Sequence, residues 1–181
     1  CKSTKDVSAK IIFDSEKRIT LKSNMKEMDE IGTSLHNIFC VLENNPSEEL
    51  IEEIIKRYEM EAVLPVSNDI LEAWINLEKF LTEKYGSKIN TYHELPFKHH
   101  YEGQIFTGSI DFIWETKDGV VLVDFKSYPG HKDDVVNPSH EHYAGMYAGQ
   151  FECYERALKA AGKSVIAKVV YYHVLGVCVE I

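Results

Sequence analysis

A mixed α/β fold, with a central β-sheet flanked by helices and a helical N-terminal portion, is predicted by three features of the sequence. Apolar residues recur at helical spacing through the first half. Near Lys88 the pattern changes to β-branched and aromatic runs with partial alternation. Further on, the turn dipeptide Asp118-Gly119 joins two apolar runs. The expected organisation is one domain over residues 1–181, helical to about residue 87, with an α/β core over about 88–181.

Each element follows from its local signals. Met28, Ile31, Leu35, Ile38, Phe39 and Leu42 place a helix over 26–44, ended by Asn44-Asn45-Pro46. Ser47, followed by Glu48-Glu49, opens a second helix to about Met60. After the break at Pro65, Ser67 or Asn68 can cap a third through Tyr85, which Gly86 stops. Strands are expected over 89–98, 103–116 and 120–127, the last apolar enough to lie centrally in a sheet. A polar loop from Tyr128 to Pro138 leads to a long helix, capped by Ser139 and running to about Ala161. A Val-rich strand over 164–174 closes the pattern. The chain shows no internal repeat, low-complexity tract or flexible linker.

Composition bounds the function. A chain of 181 residues with 44% hydrophobic content can bury a real core, and no run of eighteen apolar residues offers a membrane span. The start, Cys1-Lys2-Ser3, has neither an initiator Met nor a signal-peptide h-region, and reads as a piece of a longer or processed protein. Cys1, Cys40, Cys153 and Cys178 are scattered, with no C-x-x-C pair. They read as reduced, mostly buried thiols, and a cytoplasmic location is expected. The formal charge of −9 is unusual for a protein that binds nucleic acid, whose affinity comes largely from neutralising phosphates. Either some acids are metal ligands, or a partner or neighbouring domain holds the nucleic acid.

The hairpin permits a geometric test of the polar residues in the apolar strands. With Asp118-Gly119 as a two-residue turn, Lys126 lies opposite Asp111 and Asp124 opposite Ile113, all on one sheet face. Facing Cβ atoms sit roughly 5 Å apart and diagonal ones roughly 7–8 Å, so two carboxylates can share one ion. Asp124 and Lys126 interrupt the run Val120-Val121-Leu122-Val123 and Phe125, where a charge without a partner is costly. The plain alternative is an Asp–Lys pair on a half-exposed sheet face.

Gly108-Ser109-Ile110-Asp111, thirteen residues before Asp124-Phe125-Lys126, resembles the G-x-x-D … D-x-K signature of the PD-(D/E)xK nuclease superfamily. The specific likeness is to the RecB-type nuclease domain at the C-terminus of bacterial helicase–nucleases such as AddA and AddB. Gly32-Thr33-Ser34-Leu35-His36 resembles that family's G-x-x-x-H element, and Gln150 with Tyr154 its Q-x-x-x-Y element. Glu94 sits where the family often carries an acid on the preceding strand. The resemblance implies a restriction-endonuclease-like core and a Mg²⁺- or Mn²⁺-dependent deoxyribonuclease, with exonuclease action expected. It implies that His36, Asp111, Asp124 and the backbone carbonyl of Phe125 ligate the metal. Lys126 would hold or deprotonate the attacking water, while Gln150 and Tyr154 contact the substrate backbone or brace the site. The partners implied are single-stranded DNA or duplex ends, and a helicase domain or subunit elsewhere, in DNA repair and recombination.

Other readings stand beside this one. The chain can be a non-catalytic member of the fold that binds DNA or protein, or a stand-alone phage-type exonuclease. Cluster-bearing relatives carry four cysteines in a pattern this chain lacks, so no iron–sulfur cluster is expected. Ala161-Gly162-Lys163-Ser164 lacks the first glycine of a phosphate-binding loop and has helix before strand, so no bound nucleotide is expected in this domain. Tyr143, Tyr147, Gln150 and Tyr154 form a stripe that ordinary helix-to-sheet packing explains.

Overall fold

The computed structural model describes residues 7–22, 28–101 and 103–181. Among these, six strands and four α-helices follow in the order β1 (Lys10–Asp14), α1 (Met28–Leu42), α2 (Glu48–Arg57), α3 (Ser67–Tyr85), β2 (Asn90–Tyr101), β3 (Gln104–Thr116), β4 (Gly119–Lys126), α4 (Ala148–Ala160), β5 (Val165–Tyr172) and β6 (Val177–Glu180). They build one sheet in the order β1-β6-β5-β4-β3-β2. Only β4 and β5 run parallel, with α4 in the crossover between them.

The sheet separates two apolar cores. Alternate residues of β4, Val121, Val123 and Phe125, face α1, α2 and α3 and join Phe39, Trp74, Leu77 and Tyr171. The intervening Val120 and Leu122 face α4 and join Phe151, Tyr154 and Leu158. By the same alternation Asp124 and Lys126 belong to the α4 side.

The N-terminal helices are capped by local chemistry. Ser47 Oγ accepts the N–H of Leu50 at 3.2 Å, with Glu48 and Glu49 in the first turn of α2 and Lys56 and Arg57 in its last. Gly86 ends α3 at φ 98°, where its carbonyl accepts Trp114 Nε1–H at 3.1 Å. Neither Ser67 nor Asn68 caps α3. Val66 occupies the cap position without a side-chain bond, and Ser67 Oγ instead donates to Glu52 at 3.2 Å. The first two residues of the helix expected over 26–44, and Cys1, lie outside the described residues.

Three expectations need correction. The helix expected from Ser139 begins at Ala148. The backbone over 137–147 makes successive tight turns instead, with N–H bonds from His140, Tyr143 and Met146 to the carbonyls three residues before each. Side chains hold these turns: His140 Nδ1 accepts the N–H of His142, and Tyr172 Oη donates to the His142 carbonyl at 2.7 Å. Strands β1 and β6 were not anticipated; each is short, and β1 gains its order by pairing with β6. Third, the tight turn is Lys117-Asp118 rather than Asp118-Gly119, because Thr116 faces Gly119. Thr116 Oγ1 accepts the N–H of Asp118 and donates to the Gly119 carbonyl, which pins the turn one residue earlier. Gly119, at φ 143°, then lies in β4, where a Cβ would approach the Ser164 carbonyl to 2.6 Å.

Candidate functional site

The shifted turn changes which acids face each other. Phe112 pairs with Val123 where the β3–β4 ladder ends, and Asp111 just beyond it comes beside Asp124 rather than opposite Lys126. The register moves by two residues, an even number, so Asp124 and Lys126 keep the face that the alternation assigned them, whereas β3 breaks its alternation at Asp111, with Ile110 in the α4-side core and Phe112 in the other. Asp111 does not continue the ladder; its Oδ2 accepts the N–H of Phe125 at 2.8 Å.

Asp124 is fully buried. Its Oδ1 accepts from Gln150 Nε2 at 2.9 Å, and its Oδ2 lies 2.5 Å from Lys126 Nζ. Gln150 also hydrogen-bonds Tyr154 Oη, one helical turn on. The ring of Tyr147, at the end of the turn before α4, lies 4.5 Å from Lys126 Nζ. Lys126 is thus held between a carboxylate and an aromatic face.

The electrostatics follow from burial. Removal from water raises the Asp124 carboxyl to about 6, reinforced by the negative charge of Asp111 and opposed by Lys126. Asp111 is raised too, by burial first, against the lowering hydrogen bond from Phe125 N–H. Burial works against the charge of Lys126, yet Asp124 and Asp111 hold its pKa above the usual lysine value. Two carboxylates and one cation therefore share a water-poor space, with negative charge in excess.

His36 reaches this place from the other layer. Gly32, one turn earlier on α1, has no room for a Cβ, which would run into Ser127 Oγ just past β4. That close approach brings α1 against the end of β4 and stands the His36 ring edge-on to Phe125, centroids 5.3 Å apart. Burial lowers the His36 pKa, countered by the charges of Glu94 and Asp124. His36 Nε2 lies 2.6 Å from Glu94 Oε1. Glu94 has φ 47°, the left-handed region that a non-glycine residue seldom adopts, and Ser109 Oγ donates to its Oε2 at 2.5 Å.

His36, Asp111, Asp124, Lys126, Gln150 and Tyr154 thus gather around the C-terminal end of β4, and the Phe125 backbone runs between the two key side chains of that strand. Two side chains that the sequence reading left aside stand with them. Tyr147 was part of a stripe with no assigned role, and only its position beneath Lys126 sets it apart. Cys40, read as a buried thiol, is one turn beyond His36, and its Sγ lies within 4.8 Å of ligand atoms of His36 and Glu94. Burial, with Glu94 and Asp111 nearby, pushes the Cys40 thiol up to about 12. The signal available for Cys40 was its i+4 spacing from His36.

The decoys resolve differently. Gly162 and Lys163 form the turn from α4 into β5, with Lys163 paired to Glu115. In the 128–143 loop, Tyr128 Oη donates to Asp134 Oδ2 at 2.7 Å and its ring stacks on His142. Among the described residues no helix is long and apolar enough to cross a membrane.

A family model described as the PD-(D/E)XK nuclease superfamily matches residues 13–177, from β1 into β6. No curated protein matches the chain.

Proposed function

Because the chain belongs to the PD-(D/E)XK nuclease superfamily, we propose that it is a divalent-metal-dependent deoxyribonuclease. We further propose that it is of the RecB type, acting as the nuclease module of a helicase–nuclease that processes DNA ends. Membership makes a nuclease acting on DNA the expected activity, and the mixed sheet with its flanking helices is the restriction-endonuclease-like arrangement. The observation that carries the metal-dependent reading is the half-buried Asp111 beside the buried Asp124, both next to Lys126, and the RecB-type reading rests on the resemblance of the ordered motifs.

The residues fit a divalent ion. Two neighbouring carboxylates, both pushed up by burial, are an excess of negative charge that such an ion relieves. Asp111, Asp124, His36 and the Phe125 carbonyl would hold Mg²⁺ or Mn²⁺, the imidazole leaning the choice toward Mn²⁺. When bound, the ion would lower the pKa of a coordinated water and polarise a phosphoryl oxygen. Lys126, kept protonated by its two acids, presents positive charge where a phosphodiester gains negative charge on attack. Gln150 fixes the rotamer of Asp124 through Oδ1, and Tyr154 fixes Gln150. A net charge of −9 supports delivery of the strand by a neighbouring domain or partner rather than by this domain's own surface.

The test is degradation of labelled single-stranded DNA with Mn²⁺ by the wild type, Asp124→Ala and Lys126→Ala. Loss of cleavage in both variants is expected. Equal degradation by all three overturns the proposal.

A further inference from the structure

His36 and Cys40 lie one turn apart on α1 and share a helix face. Glu94 meets them from β2, where its left-handed backbone turns the side chain toward the helix and Ser109 holds one carboxylate oxygen. One ligand atom from each of the three lies within 4.8 Å of the other two. A second observation concerns the imidazole. His36 Nε2 is cut off from solvent and makes no hydrogen bond, although Glu94 Oε1 is 2.6 Å away. Nitrogen and oxygen converge without hydrogen-bond geometry, as two lone pairs do when aimed at a common cation.

We propose that His36, Cys40 and Glu94 form a binding site for a thiophilic divalent cation, Zn²⁺ foremost, distinct from the carboxylate site of Asp111 and Asp124. One sulfur, one nitrogen and one oxygen are a borderline-soft set. Zn²⁺ accepts all three at about 2.0–2.3 Å, whereas Mg²⁺ demands oxygens and rejects a thiolate. Ligand atoms on a tetrahedron of that size sit about 3.4 Å apart, so a grouping within 4.8 Å is already close to that size. Three protein ligands leave the fourth position to water. On binding, the Cys40 Sγ–H bond breaks, the proton passes to solvent and the sulfur–metal bond forms. The thiolate and the Glu94 carboxylate together balance the charge of the ion. His36 belongs to both sites, so zinc here takes a ligand from the catalytic ion and inhibits cleavage. The inhibition rests on the nuclease reading above; the binding does not.

The test is titration of the full chain with Co²⁺, which reports a thiolate ligand through a near-ultraviolet sulfur-to-cobalt absorption band. The band is expected in the wild type, in Cys153→Ser and in Asp124→Asn, and is expected to vanish in Cys40→Ser. Zn²⁺ should abolish it, and Zn²⁺ added to the apo chain should release about one proton per ion. In the unmodified chain, Zn²⁺ should also protect Cys40 from iodoacetamide, mapped by mass spectrometry, a readout that needs no variant to fold. No band in the wild type, a band that survives Cys40→Ser, or unprotected Cys40 overturns the site. With Mg²⁺ supporting cleavage, the Zn²⁺ concentration for half-inhibition should rise at least on the order of 10-fold in Cys40→Ser. A chain that binds Co²⁺ through Cys40 but fails to cut DNA whichever divalent ion is added upholds the site and overturns the nuclease reading. One that cuts but shows no band does the reverse.

Discussion

The two faces of the sheet are built on opposite terms. The face under α1, α2 and α3 is a dry aromatic core, where Trp74, Phe39, Phe112, Phe125 and Tyr171 pack together. The face under α4 begins in the same way, with Val120, Leu122 and Phe151, and then admits Asp124, Lys126 and Gln150 at the end of β4, with Asp111 alongside. Both faces alternate along one strand, so the strand does not favour either. What differs is the cover: three helices on one side, and one helix preceded by tight turns on the other. Charge persists inside only where other polar groups answer it, and α4 supplies the answering amide. The first face is packed apolar, and the second holds an electrostatic imbalance, the feature on which the proposed chemistry rests.

Substitutions on the two faces should therefore separate stability from activity. The largest expected effect is that of Asp124→Asn, which should lower Mn²⁺-supported cleavage by roughly a thousandfold or more. Urea denaturation should show the metal-free variant no less stable than the wild type, because Asp111 and Lys126 remain as a balanced pair. A large loss of stability would erase the contrast. Trp74→Ala, on the other face, should cost about 3–5 kcal/mol in the same titration while cleavage per folded molecule is kept.

The faces should also titrate in opposite senses. Asp124 is raised to about 6 when folded, so its contribution is fully present below the usual carboxylate pKa and is lost as pH rises through about 6. His173 is buried against Phe39 and Phe125, and burial lowers it to about 3. Its contribution is present above about 6.5 and is lost as pH falls toward about 3. Metal-free stability curves of Asp124→Asn and His173→Phe against pH should each flatten one of these slopes. A variant curve parallel to the wild type would remove that group from the account.

Smaller effects sharpen the contrast. Gln150→Ala leaves Asp124 in place but unbraced, and a loss on the order of 10–100-fold in Mn²⁺ affinity by calorimetry is expected. Ser47→Ala removes a helix cap far from β4 and should cost about 1 kcal/mol in a thermal melt, with cleavage unaltered.

The sequence by itself determined the helices α1 to α3, the strands β2 to β5, and the shared face of Asp124 and Lys126 on β4. These are matters of period: apolar spacing of 3.6 or 2 residues is local, and parity survives even a mistaken turn. It also carried a family resemblance that the family match bears out at the level of the superfamily. Only the tertiary structure decided the rest. The turn at Lys117-Asp118 was chosen by a Thr116 side chain and by the approach of Ser164 to Gly119, a contact made across the sheet. The start of α4 was set by hydroxyl and imidazole bonds from residues that propensity does not weigh, among them Tyr172. Strands β1 and β6 are too short to declare themselves: β6 is ordered by pairing with β5, and β1 by pairing with β6. The same long-range packing put Asp124 beside Asp111, set Tyr147 beneath Lys126 and brought Cys40 to Glu94. Spacing along the chain decides which face a side chain takes; which groups meet there is decided when layers close on one another.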